Sequence, residues 1–342
     1  MPLTSPTKGR SDEAVSAPAP TPHPIPLGFL ERVRFNTSVI DLFLLAELLF
    51  WTLRLGMSPD SADRDVALPV FGATLVGFVV VWLWMRGARQ RPGVWGSLGF
   101  RVLLFSAILG PFMLGLRKAL AALQPTLLDP ELIALDRALF GEVPAVVMEP
   151  YVYPFLVEWL AFFYFSYFAM VGGAIIPAVV KGRDAVRNER LYGIIFIMIL
   201  GNVIYTLVPG KGPYAAIPFS TPLEGGPFWG MVEEMVAMVG PQLDIFPSLH
   251  TAVPVFLAIH TFQNRTSRML KWLAWPLVFA TVNIVIATMY LRWHYAIDVV
   301  AGLVMAIAGL LVARWAQRLD ARRVATGRQP TFGHPLPLSA GE

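Results

Sequence analysis

Phe246-Pro-Ser-Leu-His250 and Arg292-Trp-His-Tyr-Ala-Ile-Asp298 are two short polar motifs, and the apolar sequence between them is long enough for two helices. Each motif stands just before an apolar run. His250 and His294 are therefore expected in the first turn of a helix, where unpaired backbone N–H groups favour an anion such as phosphate. Asp298 follows His294 by four residues, one helical turn, so its carboxylate can reach the imidazole, fix its tautomer and stabilise its charged form. Two capping turns with incidental histidines are the plainer reading. They would not require both histidines at the same end of their helices, nor a carboxylate at i+4.

The rest of the chain is apolar. Of 342 residues, 56% are hydrophobic and 15% charged, beyond an ordinary soluble domain, so the sequence reads as a membrane protein. Its net charge of +4 comes from basic residues dispersed along the loops, which argues against a nucleic-acid partner. The absence of cysteine excludes a disulfide framework and thiolate metal sites. Residues 1–37 open with a Pro-, Ser- and Ala-rich segment and read as a largely disordered tail. Apolar runs follow at about 38–55, 66–85, 102–120, 152–180, 191–208, 248–263, 270–291 and 295–315, each near the ~20 residues that a spanning helix needs. The expected fold is thus an all-α integral membrane protein of about eight transmembrane helices. Two N-terminal helices (38–100) precede a six-helix catalytic bundle (101–316), and 317–342 form a tail.

Loop charges alternate along this series. Arg32 and Arg34, Arg86 to Arg91, Lys181 to Arg190, Arg265 and Arg268, and Arg318 to Arg323 mark one side. Asp60 to Asp65, Asp129 to Glu149 and Glu224 to Asp244 mark the other. Since cytoplasmic loops are richer in Lys and Arg, both termini are expected in the cytoplasm and both histidines at the outer face, in a plasma (inner) membrane. Arg117 and Lys118 run against the trend. Between 209 and 247, Phe228, Trp229, Met231, Val232, Met235, Val236 and Val239 have the spacing of an amphipathic interfacial helix, one that walls a cleft or covers the bundle.

The two motifs resemble the type 2 phosphatidic acid phosphatase superfamily and, through Thr288-Met-Tyr-Leu291 before the histidine, its inositol phosphorylceramide synthase-like branch. The resemblance covers roughly Gln124 to Val312, with a weaker match at Asp129 to Gly141. Leu249 stands where the wider superfamily has Gly, and Ala287 and Thr288 where it has Ser-Arg. The resemblance implies phosphoryl transfer without metal or cofactor: His294 attacks phosphorus, Asp298 orients it, and His250 protonates the departing alkoxide. The superfamily's first motif, a Lys followed six residues later by Arg-Pro, is incomplete. Lys211 is present, but Pro218 and Phe219 occupy the later positions.

Lys211 remains a candidate phosphate ligand or an interfacial anchor. Arg292, two residues from His294, is a candidate replacement for the missing Arg, since guanidinium matches phosphate oxygens bidentately. Ser248 can cap its helix or donate to phosphate, and Tyr214 is a further candidate. Glu158 could meet a headgroup. Glu47, Arg54, His260, Asn202 and Asn283 read as structural polar groups within the bundle. The expected substrate is a lipid phosphate with an alcohol acceptor, giving headgroup transfer of a phosphoinositol-like group, or with water, giving a lipid or polyprenyl diphosphate phosphatase. A non-catalytic transporter or scaffold on the same fold is the alternative of another class.

Overall fold

The computed structural model describes residues 27–88, 115–123, 125–181, 184–239, 242–265 and 268–332. Thirteen α-helices and one short 3-10 turn make up the described chain, with no β-strand among them. In order they are α1 (Phe29–Asn36), α2 (Val39–Gly56), α3 (Ala62–Gly87), α4 (Leu116–Ala122), α5 (Asp129–Phe140), α6 (Pro144–Met148), α7 (Pro154–Lys181), α8 (Ala185–Tyr205), α9 (Pro213–Ala216), α10 (Pro227–Val239), α11 (Leu249–Gln263), α12 (Arg268–Tyr290) and α13 (Ala296–Ala325). Most of the third expected span, 102–114, lies outside the described residues.

Four of these helices are long and apolar enough to cross a membrane: α3, the Pro154–Pro177 part of α7, α12 and α13. The other described runs fall short for identifiable reasons. Helix α2 carries Asp41, Glu47 and Arg54 within 18 residues, α8 opens with Arg187, Glu189 and Arg190, and α11 has only 15 residues. Exposed side chains confirm a lipid-facing exterior. Val76 and Val80 on α3, Phe279, Val282 and Ile286 on α12, and Val304, Ile307 and Leu311 on α13 all point outward. Exposed Trp272 and Trp275 at the start of α12 and Trp315 near the end of α13 ring one end of the bundle; Tyr151, Tyr153 and Phe155 ring the other. Aromatic belts of this kind mark the two membrane interfaces. The chain is an integral, multi-pass membrane protein.

Helix α11 packs against both α12 and α13, with α8 against α11 and α13, and α7 against α12. Helix α2 joins this bundle through α8, and α3 packs on α2 and α4. At the end away from the two histidines, Arg86 makes a bidentate pair with Asp41 at 2.8 and 2.9 Å and donates to the Pro330 and Thr331 carbonyls. Asp320 accepts from the N–H and hydroxyl of Thr331. This buried network orders the chain past the expected bundle limit at 316: helix α13 runs on to Ala325, and Thr331 and Phe332 are buried. Within the expected N-terminal tail, 29–36 is helical; Glu31 accepts the Gly28 N–H at 2.7 Å, and Arg32 reaches the Gly87 carbonyl.

The charged and amide groups inside the bundle mostly bridge helices. Asn202 donates to Glu47 at 3.1 Å, and Trp159 donates to Asn283 at 2.9 Å. His260 is buried against Phe256 with the Glu189 carboxylate 3.6 Å away, and among the described residues its ring nitrogens make no hydrogen bond.

The close crossing of α11 and α13 sets the separation of the two motifs. A Cβ at Gly302 would lie 2.6 Å from the Ser248 carbonyl oxygen and 2.9 Å from Thr251 Cβ. Only a residue without a side chain lets the helices meet there. Gly302→Ala should therefore destabilise the protein by about 1–3 kcal/mol through overpacking, read as a lowered unfolding midpoint in detergent.

Candidate active site

The segment that carries His294 is a helix-to-helix link only five residues long. Helix α12 ends in a paired Schellman closure: Trp293 N–H donates to the Thr288 carbonyl and Arg292 N–H to the Met289 carbonyl, each at 3.0 Å. Arg292 occupies the left-handed position of that closure, with φ 67°, where glycine is usual. A side chain there costs about 1–2 kcal/mol. Its guanidinium compensates by lying 3.9 Å over the Phe219 ring and donating to the Thr221 carbonyl at 2.7 Å. His294 N–H also reaches the Thr288 carbonyl. His294 thus sits just before α13, whose N-cap is Tyr295, and not within its first turn as expected.

Asp298 occupies the third position of α13. Its carboxylate accepts from the Tyr295 N–H at 2.9 Å and lies 3.3 Å from His294 Nδ1, so the i+4 pair is present. With Nδ1 turned to the carboxylate, Nε2 is the nitrogen left for chemistry. The Asp298 carbonyl accepts from Ser248 N–H at 3.0 Å, which joins the two motifs through the backbone. Ser248 is the N-cap of α11 but makes no side-chain cap; its Oγ instead accepts from the Thr251 hydroxyl at 3.1 Å. His250 falls in the first turn of α11, stacked on Tyr164 at 4.4 Å and beside Tyr167 at 4.2 Å. The two histidine rings are 6.3 Å apart. Among the described residues, buried His250 Nε2 and Asp298 Oδ1 find no hydrogen-bond partner, a condition that points to a functional site.

His250 and His294 line one cavity of about 130 Å³, with Tyr164, Tyr167, Tyr205 and Trp293 as aromatic walls and Arg117, Gln242 and Asp244 as polar ones. Lys211, Ser248, Arg292 and Tyr214 do not line it. Arg292 and Tyr214 line a neighbouring cleft of about 490 Å³ that shares Trp293 and Val236 with the first. Lys211 is exposed at the loop surface. Tyr214 N–H donates to the Arg292 carbonyl at 2.8 Å, and Gly212, at φ +88°, lets the 209–214 loop pass against the Trp293 carbonyl.

Two aspartates not expected to serve the site hold its loops. Asp129 accepts from Lys211 N–H at 2.9 Å, Gly212 N–H at 2.8 Å and the Tyr295 hydroxyl at 3.0 Å. Asp136 accepts from the N–H groups of Ala296 and Ile297 at 2.8 and 2.9 Å, the first turn of α13. Burial pushes the Asp136 carboxyl up, and those two bonds pull it back. Their spacing of seven within a helix was the available signal, since it puts both on one face. Glu158, a possible headgroup contact from sequence, instead accepts from the N–H groups of Gly226, Phe228 and Trp229 at 2.8, 2.9 and 3.0 Å. It anchors the start of α10, which buries Trp229 and Val232 against α7.

A multi-pass helical membrane protein with a histidine pair over an aromatic cavity is the class that fold and site define. A family model described as the PAP2 superfamily matches residues 130–312, more than half of the chain, and the protein belongs to that superfamily. Membership suggests phosphatase or phosphotransferase activity on lipid phosphates. No curated protein and no solved structure matches the chain.

Asp129→Ala would leave two backbone N–H groups and a buried phenol without their acceptor. It should cost about 3 kcal/mol of stability, measured as a loss of unfolding midpoint. Glu158→Ala should accelerate hydrogen exchange at 226–229 severalfold while leaving α13 protected, measured by mass spectrometry.

Proposed function

We propose that this protein is a lipid phosphotransferase that works through a phosphohistidine on His294, transferring a phosphoinositol-like headgroup to a lipid alcohol. The carrying observation is that His250 and His294 line one cavity, with Asp298 on Nδ1 of the second. His294 Nε2 attacks phosphorus in line, and the P–O bond to the leaving lipid oxygen breaks. His250 gives that oxygen its proton. The acceptor hydroxyl then attacks the phosphohistidine, returns its proton to His250 and frees His294. Asp298 stabilises the charged imidazole without itself being consumed. Metal and cofactor take no part in this scheme.

Transfer, as distinct from hydrolysis, is favoured by the second cleft. A chamber that shares Trp293 and Val236 with the reaction cavity offers space for a second lipid beside the phosphohistidine. Walls of tyrosine and tryptophan limit water around the intermediate. The proposed topology has eight spans, both termini in the cytoplasm and the cavity at the outer face. It follows the loop-charge alternation.

The test is purified protein in mixed micelles with labelled phosphatidylinositol and a lipid alcohol such as ceramide, products resolved by mass. Label on the alcohol establishes transfer; free inositol phosphate alone establishes hydrolysis; neither, across phosphatidic acid and polyprenyl diphosphate as well, overturns the enzymatic reading. His294→Ala should abolish turnover, whereas Asp298→Asn should retain a residue of activity about 10⁴-fold below the parent, as seen for an orienting carboxylate elsewhere.

Topology is tested separately, because the chain has no cysteine of its own. Asp60→Cys and Glu224→Cys should react with an impermeant maleimide in intact cells, and Ala185→Cys and Ala325→Cys only after lysis. The reverse pattern would put the cavity at the cytoplasmic face.

A further inference from the structure

Helix α4 carries two adjacent cations at the end of the protein where acidic loops prevail, and the structure gives them different work. Lys118 pairs with Asp63 on α3 at 2.7 Å, a partly exposed contact. Arg117 turns the other way, into the cavity that holds His250 and His294. Its Nε lies 3.6 Å from Asp244 Oδ2, and both side chains are largely covered, at 19% and 16% exposure. Among the described residues lining that cavity, Arg117 is the single permanently charged cation; the remaining polar groups are the two histidines, the tyrosines, Trp293, Gln242 and the anionic Asp244.

In-line transfer at phosphorus concentrates negative charge on the non-bridging equatorial oxygens, and that charge needs a fixed cation within a water-poor site. The side chains that sequence offered for this task are elsewhere. Arg292 is committed to Phe219 and the Thr221 carbonyl, and Lys211 is exposed on its loop. A guanidinium with Asp244 as its resting partner can exchange a carboxylate for a phosphoryl group of similar geometry without ever standing uncompensated in the cavity.

We propose that Arg117 is the phosphoryl-binding residue of this site, and that Asp244 is its placeholder, displaced when a tetrahedral phosphate enters. The inference rests on the phosphotransfer reading above and names the group that completes it. It also explains why two cations interrupt the loop-charge pattern: one braces α4 on α3, and the other serves the cavity. Because the recognised chemistry is a phosphoryl group, from a lipid headgroup or a free oxyanion, two measurements are needed.

Tungstate, a tetrahedral dianion, is titrated into purified protein by calorimetry, and turnover of labelled phosphatidylinositol is followed on the same samples. Arg117→Ala should weaken tungstate at least 10-fold and lower turnover by about 10²-fold or more, the loss typical of one charged donor at a developing oxyanion. Arg117→Lys should recover part of each, since a point charge lacks the guanidinium fork. Asp244→Asn should tighten tungstate severalfold by removing its competitor, a change that a purely structural ion pair would not produce. Lys118→Ala should leave tungstate affinity unchanged. Unaltered tungstate affinity in Arg117→Ala, or no binding by the parent protein, overturns the inference. So does weaker binding in Asp244→Asn with its unfolding midpoint intact. If Arg117→Ala is poorly folded, Arg117→Lys and Asp244→Asn decide alone. Retention of turnover by His294→Ala would instead defeat the phosphohistidine reading while leaving Arg117 as an anion site.

Discussion

Acidic side chains hold the backbone N–H groups at the active end of this bundle, some of them buried and some at the exposed loop surface. Asp129, Asp136, Glu149, Glu158 and Asp298 each accept from main-chain N–H groups, and together they fix the 209–214 loop, the 220–221 turn, the start of α10 and the start of α13. Each such bond is stronger than its neutral counterpart because the acceptor is charged. Remove this constraint and the site loses its frame: the link that presents His294 is only five residues long, and it is held from both sides by these contacts.

Asp298 shows how tightly the frame and the chemistry are combined. One residue closes the first turn of α13, orients His294 and, through its carbonyl, holds Ser248 at the head of α11. The histidine separation is then set by the Gly302 crossing, where the two helices approach without an intervening side chain. Position follows from backbone geometry, and the reacting groups inherit it.

Much of this was legible in sequence because it is local. His294 and Asp298 are four residues apart, and a pair at that spacing meets wherever the segment is helical or nearly so. The apolar periodicity at 228–239 likewise suffices to place helix α10. The dispersal of basic and acidic loops speaks for topology, but it hides what each carboxylate does, since a residue that caps a distant N–H has the same composition as one facing water. Asp129 and Asp136 bond residues more than eighty positions away, and Glu158 bonds residues about seventy positions away. Closeness to His294 in sequence makes Arg292 a candidate phosphate ligand. The Schellman turn that intervenes sends its side chain to Phe219 instead, while Arg117, far off in sequence, enters the cavity. A left-handed arginine cannot be read from residue type, because glycine is the usual signal for that position.

In the proposed reaction a phosphoryl group passes through His294. A single-turnover reaction with lipid labelled at phosphorus, quenched in alkali without acid and digested for mass spectrometry, addresses it directly. The expected result is an alkali-stable, acid-labile adduct on the peptide that contains His294, discharged when the acceptor alcohol is added. Product formed at full rate with no such adduct, or with phosphorus carried on any other residue, would contradict it.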